Sequence, residues 1–204
     1  MKRIVILLLA CCGFADALAQ DPSPGSFLVA TDSLRDPSFS ETVILILHYA
    51  SDGALGIAVN RPTWVDAADT FPDAEYLDNY SGNVFYGGPV ARSNLVALLR
   101  LEPSDDMDMQ PIVDDVYVTA DPEFLLDLVN AEETDQRLRL FAGHAAWEGG
   151  QLERELESGS WRVVPAAANQ IFSADPLRLW TELNAPQSEL MVSTSNAVGT
   201  VAPD

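Results

Sequence analysis

"VILILHYASDGALGIAVNRP", residues 43–62, is the stretch whose reading decides the fold. Val43 to Leu47 is short and continuously apolar, with β-branched side chains at Val43, Ile44 and Ile46. That is the pattern of a strand covered on both faces. Ser51-Asp52-Gly53 follows, and an Asp-Gly pair accepts the positive φ of a tight reversal at little steric cost. Ala54 to Val59 returns as a second strand, with Gly56 marking a bulge or a close approach. Pro62 holds Arg61 extended and ends the ladder at Asn60-Arg61-Pro62. The stretch therefore predicts a buried β-hairpin.

Working outward, Phe27–Ala30 reads as an earlier strand, and Asp36-Pro37 marks a turn. A helix could start in Trp64–Ala68, an acidic loop occupies 69–80, and Val84-Phe85-Tyr86 is a short strand running into the turn Gly87-Gly88-Pro89. Asn94–Leu101 and Val116–Thr119 read as strands. Asp121 caps a helix reaching about Asn130, with Pro122 at its first position. Arg137–Phe141 alternates like a half-buried strand. Gly150–Ser158 is a helix with Leu152 and Leu156 one turn apart on its inner face, Trp161–Val164 a strand, and Pro176–Leu183 a last helix capped by Asp175. Strands in clusters with helices between them, and no βαβ series, predict an α+β fold. The expected architecture is a single domain with a mixed, mainly antiparallel β-sheet flanked by helices; 204 residues suit one domain with a real core.

The N-terminus has the layout of a secretory signal peptide: basic Lys2-Arg3, apolar Ile4–Ala10, and Ala17-Leu18-Ala19 as the cleavage site. The expected organisation is a signal peptide over 1–19, a tether over 20–26, the folded domain over 27–195 and a tail over 196–204. The expected location is periplasmic; the alternative reads Leu8-Leu9-Ala10-Cys11 as a lipobox and anchors the protein through Cys11. The apolar run is well short of the roughly 20 residues that span a bilayer. Cleavage after Ala19 removes two of the basic residues and one acid, taking the net charge from −20 to −21. It also removes Cys11, Cys12 and the only lysine, so no thiol chemistry or Cys-ligated metal is expected. A nucleic-acid binder needs clustered cations to displace counterions from phosphates, and this charge argues against one.

Four blocks occur in order around the hairpin: "GSFLVATDSLRDPSFSETVILILHYASDGALGIAVNRP", "FYGGPV", "FAGHAAWEGGQLERELESGSWRVVP" and "IFSADPLRLW". Together they resemble the AlgH/YqgE-type family of small bacterial proteins, from about Gly25 to Trp180. The resemblance implies a mixed α/β architecture; it brings no established activity, cofactor or catalytic set. Members are often labelled transcriptional regulators and are usually cytosolic, so an exported, strongly acidic chain departs from both. The third block usually begins Gly-Tyr-Ala-Gly-Trp, whereas here it reads Gly143-His144-Ala145-Ala146-Trp147.

The candidate sites are few. His48 and His144 would each serve as a general base, since histidine titrates near neutrality; the plainer reading has His48 bonding backbone at a strand end and His144 packing its ring. There is no Gly-x-Ser-x-Gly elbow and no His-x-x-x-His spacing, so neither a serine hydrolase nor a zinc site is indicated. Asp105, Asp106, Asp108, Asp114 and Asp115 would gather around calcium or form a solvated acidic loop, the latter expected because the EF-hand order is absent. Arg61 beside Asn60, near the amides of Gly87-Gly88, would hold a carboxylate or phosphate in its planar fork, or else form an ion pair with one of the acids. Trp147 and Gln151 pack at the start of a helix whose N-terminus offers amides to an anion, with Glu148 and Glu153 in competition. The expected function is a non-catalytic binding protein of the cell envelope. Its candidate ligand edge is Asn60, Arg61, Gly87, Gly88, His144, Trp147 and Gln151, its partner a protein or small anion, and no cofactor is expected. The alternative is a hydrolase-like enzyme using His48 or His144 with a carboxylate.

Overall fold

A computed structural model describes residues 20–78, 80, 82–102, 109–129 and 137–185. The signal segment, the 196–204 tail, Asp105, Asp106, Asp108 and the Asn130 helix end lie outside the described residues.

Eight strands run β1 (Ser26–Ala30), β2 (Val43–Ala50), β3 (Gly53–Ala58), β4 (Phe85–Tyr86), β5 (Val90–Arg100), β6 (Val116–Thr119), β7 (Leu138–Glu148) and β8 (Trp161–Pro165). Among the described residues five helices stand between or after them: α1 (Ala67–Thr70), α2 (Pro122–Val129), α3 (Gln151–Glu157), α4 (Ala168–Ile171) and α5 (Leu179–Asn184). The strands form one sheet in the order β6-β5-β7-β3-β2-β1-β8, with β4 laid parallel to β7 and every other pairing antiparallel. This is the mixed, mainly antiparallel α+β domain that the sequence predicts.

The β2–β3 hairpin sits inside the sheet, flanked by β1 and β7, and Val43 to Ile46 are wholly buried. Its turn is made by Ser51 and Asp52, since Ala50 pairs with Gly53. Only Gly53 takes a positive φ, +146°, and a Cβ there would stand 2.3 Å from the Trp147 carbonyl oxygen. Gly56 answers to close approach: a Cβ would meet Ile44 Cγ2 at 2.5 Å. The bulge lies on the opposite strand, where the register shifts between Ile46 and His48.

Alternate residues of the sheet feed different cores. Phe27, Leu45, Ile57, Leu98 and Phe141 pack on one side with Ile171 of α4 and Leu179 of α5. Leu28, Ile44, Ile46 and Trp147 pack with Leu152 of α3 and Trp161. Leu99, Leu138 and Leu140 pack with Leu125 of α2. The expectation of a half-buried strand at 137–141 is overturned here. Strand β7 pairs with β3 and β5 and is covered on both faces, so Arg139 is only 8% exposed.

Other differences are local. β7 continues through Trp147, which is thus a strand residue and does not open a helix. Asp121 caps α2 as expected, its Oδ1 accepting the Glu123 amide at 3.0 Å. Asp175 makes no side-chain cap; a 3-10 turn at Pro176–Arg178 leads into α5 instead. The strand expected from Asn94 begins at Val90, which pairs with His144; the register then shifts past Ala91 (φ +47°) before pairing resumes at Leu95. No described helix is long and apolar enough to cross a membrane.

Candidate functional site

Gly150 adopts φ +74° and turns the chain from the end of β7 into α3. Gln151 and Glu155, one helical turn apart, consequently share a face. Glu155 reaches Trp147 on β7 and Trp161 on β8. Its Oε2 accepts both indole N–H groups, at 3.0 Å from Trp147 and 2.7 Å from Trp161. Its Oε1 accepts from the Gln151 amide at 2.9 Å, and Gln151 Oε1 in turn accepts the Glu148 backbone N–H at 3.1 Å. The two indoles meet edge to face with centroids 6.1 Å apart, and Phe39 stands edge-on to Trp161 at 6.0 Å.

A cleft of about 800 Å³ opens beside this cluster. Leu34, Arg35, Asp36 and Phe39 line it from the β1–β2 loop, Pro89 and Val90 from the start of β5, and Ala145 and Ala146 from β7. Asp36 Oδ1 accepts the Ser38 hydroxyl at 2.6 Å and the Ser38 amide at 2.9 Å, which hold its carboxyl below the ordinary carboxylate range. Ser158, also in the lining, shares a 2.9 Å hydrogen bond with Ser160 and donates to the Glu155 carbonyl. The cleft thus offers phenyl and methyl surface and the rims of two largely buried indoles beside polar groups such as Arg35, with both of its carboxylates already accepting hydrogen bonds from the chain. Apolar and cation–π recognition suits such a surface.

The residues singled out from the sequence fall in different places. Trp147 and Gln151 come together in the cleft. Asn60 is buried and ties the hairpin, its Oδ1 accepting the Val43 amide and its Nδ2 donating to the Glu41 carbonyl, both at 2.9 Å. Arg61 turns its fork inward: Nε and Nη2 donate to Thr42 Oγ1 at 3.0 and 2.6 Å, and Nη2 also reaches the Ser40 carbonyl at 2.7 Å. Asn60 and Arg61 line a separate, smaller groove with Tyr86 and Leu177. Gly87 donates its amide to the Ala142 carbonyl at 2.9 Å. A Cβ on Gly87 would stand 2.2 Å from the Gly143 carbonyl oxygen, and one on Gly88 2.2 Å from the His144 carbonyl carbon. These glycines are where the chain presses against β7.

His144 is half-buried on β7 opposite Val90. His48 stands on the exposed end of the hairpin, its Nε2 3.8 Å from Asp52 Oδ1, with side chains 61% and 85% exposed. Asp114 Oδ2 accepts the Ala168 amide at 2.9 Å, and Asp115 pairs with Arg100 at 2.8 Å, so these two acids, expected in a solvated loop with calcium as the alternative, hold α4 and β5. Among the described residues no group of three or more His, Cys, Asp or Glu is placed to hold a metal.

Glu155 and Trp161 were not anticipated. The signal was present as Trp147, Gln151 and Glu155 at intervals of four, but it crosses from strand to helix. The acids nearest the helix start drew the attention instead. One of them, Glu153, accepts the Tyr49 hydroxyl at 2.7 Å, which lowers the Glu153 carboxyl and raises the Tyr49 phenol.

The sequence model described as AlgH-like (DUF179) matches residues 27–189. A UPF0301 protein of Streptomyces avermitilis is 37% identical over 180 residues, covering 83% of this chain and 90% of the relative. One from Streptomyces coelicolor is 37% identical over 167 residues, covering 78% and 83%. Among solved structures, a Corynebacterium diphtheriae protein superposes with a TM-score of 0.65 at 27% identity, over 85% of this chain and 95% of that one. The solution structure of AlgH from Pseudomonas aeruginosa gives 0.64 at 24% identity, over 90% and 100%, and shows likeness of fold.

Proposed function

The chain belongs to the AlgH-like family, and from that premise we propose that it is a non-catalytic binding protein of the bacterial cell envelope, exported by its N-terminal segment. The cleft beside Trp147 and Trp161 is the binding surface, and its partner is a protein segment with apolar side chains flanked by basic ones. One observation carries the reading: the Glu155 carboxylate is spent on fixing two indoles in the wall of an open cleft of mixed polar and apolar lining. A general acid or base must reach a substrate proton, whereas a carboxylate clamped in this way makes a rigid aromatic platform. Rigid aromatic anchors are what dominate binding surfaces. The net charge of −20 favours a basic partner through electrostatic steering. The hydrolase alternative would rest on His48, exposed with Asp52 on a hairpin end, or on half-buried His144, and neither histidine is in the cleft lining.

Two measurements test it. Fractionation of native cells, with intact mass and N-terminal sequence, should find a chain beginning at Gln20 in the periplasm. A full-length cytosolic chain would end the envelope reading, and a lipid on Cys11 would make the protein membrane-tethered. A photo-crosslinking amino acid at Val90, on the cleft, should trap one defined protein. The same probe at Leu126, exposed on α2, should not. Equal adducts at both positions, or none at Val90, would refute the cleft.

A further inference from the structure

Among the described residues Arg139 is a buried cation without a counter-ion. Its position on β7 turns it to the same side as Phe141, where its guanidinium lies 4.9 Å from the Phe85 ring centroid and 5.5 Å from that of Phe172. Nη1 donates to the Ile171 carbonyl at 2.7 Å and Nη2 to the Ser173 carbonyl. Burial pushes its pKa down to about 10, so it stays charged at neutral pH. Among the described residues no carboxylate lies within ion-pair distance of it. A buried charge satisfied only by neutral groups is costly to keep.

The side chain lines a pocket of about 800 Å³ that shares no residue with the tryptophan cleft. Arg100, paired with Asp115, lines it too, 6.0 Å from the Phe172 ring, so one phenyl ring serves two guanidiniums. The remaining lining includes Phe85, Tyr80 and Trp64, the last 90% exposed and the most exposed large apolar side chain described. In a chain with 31 acidic residues and 11 basic ones, the described residues of this lining include two arginines and no acid, Arg100 being paired with Asp115 and Arg139 with no described carboxylate. Walls of low dielectric concentrate the field of like charges within a pocket.

We propose that this pocket binds a small organic anion with a flat apolar body, an aromatic carboxylate. The carboxylate accepts from the Arg139 N–H groups that the Ile171 and Ser173 carbonyls leave free, since each terminal nitrogen carries a second hydrogen. The ring is taken between Trp64 and the phenyl walls, as aromatic faces prefer.

The test uses the full chain and two probes of one shape, 2-naphthoate and neutral 2-naphthamide, in calorimetric titration. Naphthoate should bind at least tenfold more tightly than the amide and weaken as salt rises. Trp64→Ala should reduce naphthoate affinity severalfold with an unchanged melting temperature, and Arg139→Lys should reduce it at least tenfold by removing the guanidinium N–H groups. Should Arg139→Lys fail to fold, amide shifts in the intact protein take its place, and they should fall on Gly82, Asn83 and Ala174 of the lining. Equal affinities for the two probes, no binding at millimolar naphthoate, or shifts confined to the tryptophan cleft would overturn the proposal.

Discussion

Replacing Glu155 by alanine would strip three donors of their acceptor at once. Trp147 and Trp161 are 7% and 4% exposed, and both indole N–H groups point at the one oxygen, Oε2. A buried donor left without a partner costs about 1–3 kcal/mol. Water entering from the open cleft would recover part of that, so the net loss is set at about 2–4 kcal/mol. For a domain of this size each kcal/mol lowers Tm by about 2–4 °C, which places Glu155→Ala roughly 5–15 °C below the parent. Glu155→Gln is the discriminating control. Its amide oxygen can stand where Oε2 stands and keep both indole bonds, while its NH2 meets the Gln151 NH2 donor to donor. That trades a charge-assisted acceptor for one mismatched contact, a loss of about 1 kcal/mol. Thermal melts and urea unfolding would give both values, with the near-ultraviolet circular dichroism of the tryptophans as a second probe. If alanine and glutamine cost the same, or alanine costs under about 1 kcal/mol, the carboxylate is not what holds the indoles.

Four further outcomes follow from named contacts. Gly143→Ala would place a Cβ 2.6 Å from the Gly88 carbonyl oxygen at φ +70°, and should lose about 2–4 kcal/mol from left-handed strain plus overpacking, read by urea unfolding. Arg61→Ala would free Thr42 and the Ser40 carbonyl, and should lower Tm through a loss of about 1–2 kcal/mol. An unchanged melt would show that these bonds hold nothing. Tyr49→Phe should flatten the acid limb of stability: Glu153, lowered by the Tyr49 hydroxyl, contributes above its ordinary pKa and loses that contribution as pH falls through its folded value. In the parent the Tyr49 phenol should titrate above its usual value near 10 in ultraviolet absorbance, and Glu153→Ala should bring it back.

The fold was legible where local chemistry and tertiary burial agree. Val43–Leu47, the Ser51-Asp52-Gly53 turn and the Asp121-Pro122 cap each carry their own instruction, and each appears where the sequence places it. Legibility fails where the environment comes from distant chain. Arg137–Phe141 alternates as a half-buried strand should, yet β3 and β5 flank β7 and α4 and α5 cover the side on which Arg139 lies. Period two tells which residues share a face; what lies over each face is set by other segments. Asp175 stands where a cap belongs, but the chain enters α5 through a 3-10 turn and makes no use of its carboxylate.

The candidate site divides on the same line. Asn60 and Arg61 read as ligand groups because of Arg61's planar fork near the Gly87-Gly88 amides, but the chain leading into β2 supplies the partners: Glu41 and Ser40 carbonyls, the Val43 amide and the Thr42 hydroxyl. Arg61 is therefore satisfied by neutral oxygens at a place where an acid was expected. Arg139 is satisfied by neutral oxygens too, yet it is nearly enclosed and has aromatic rings on two sides. Exposure separates the two cases. Water can solvate what the chain leaves of Arg61, whereas the charge of Arg139 has only its pocket to answer it. In a chain this acidic, placing a carboxylate beside Arg139 would have been easy. Among the described residues no acid stands beside Arg139, and that position is the stronger sign of an anion from outside.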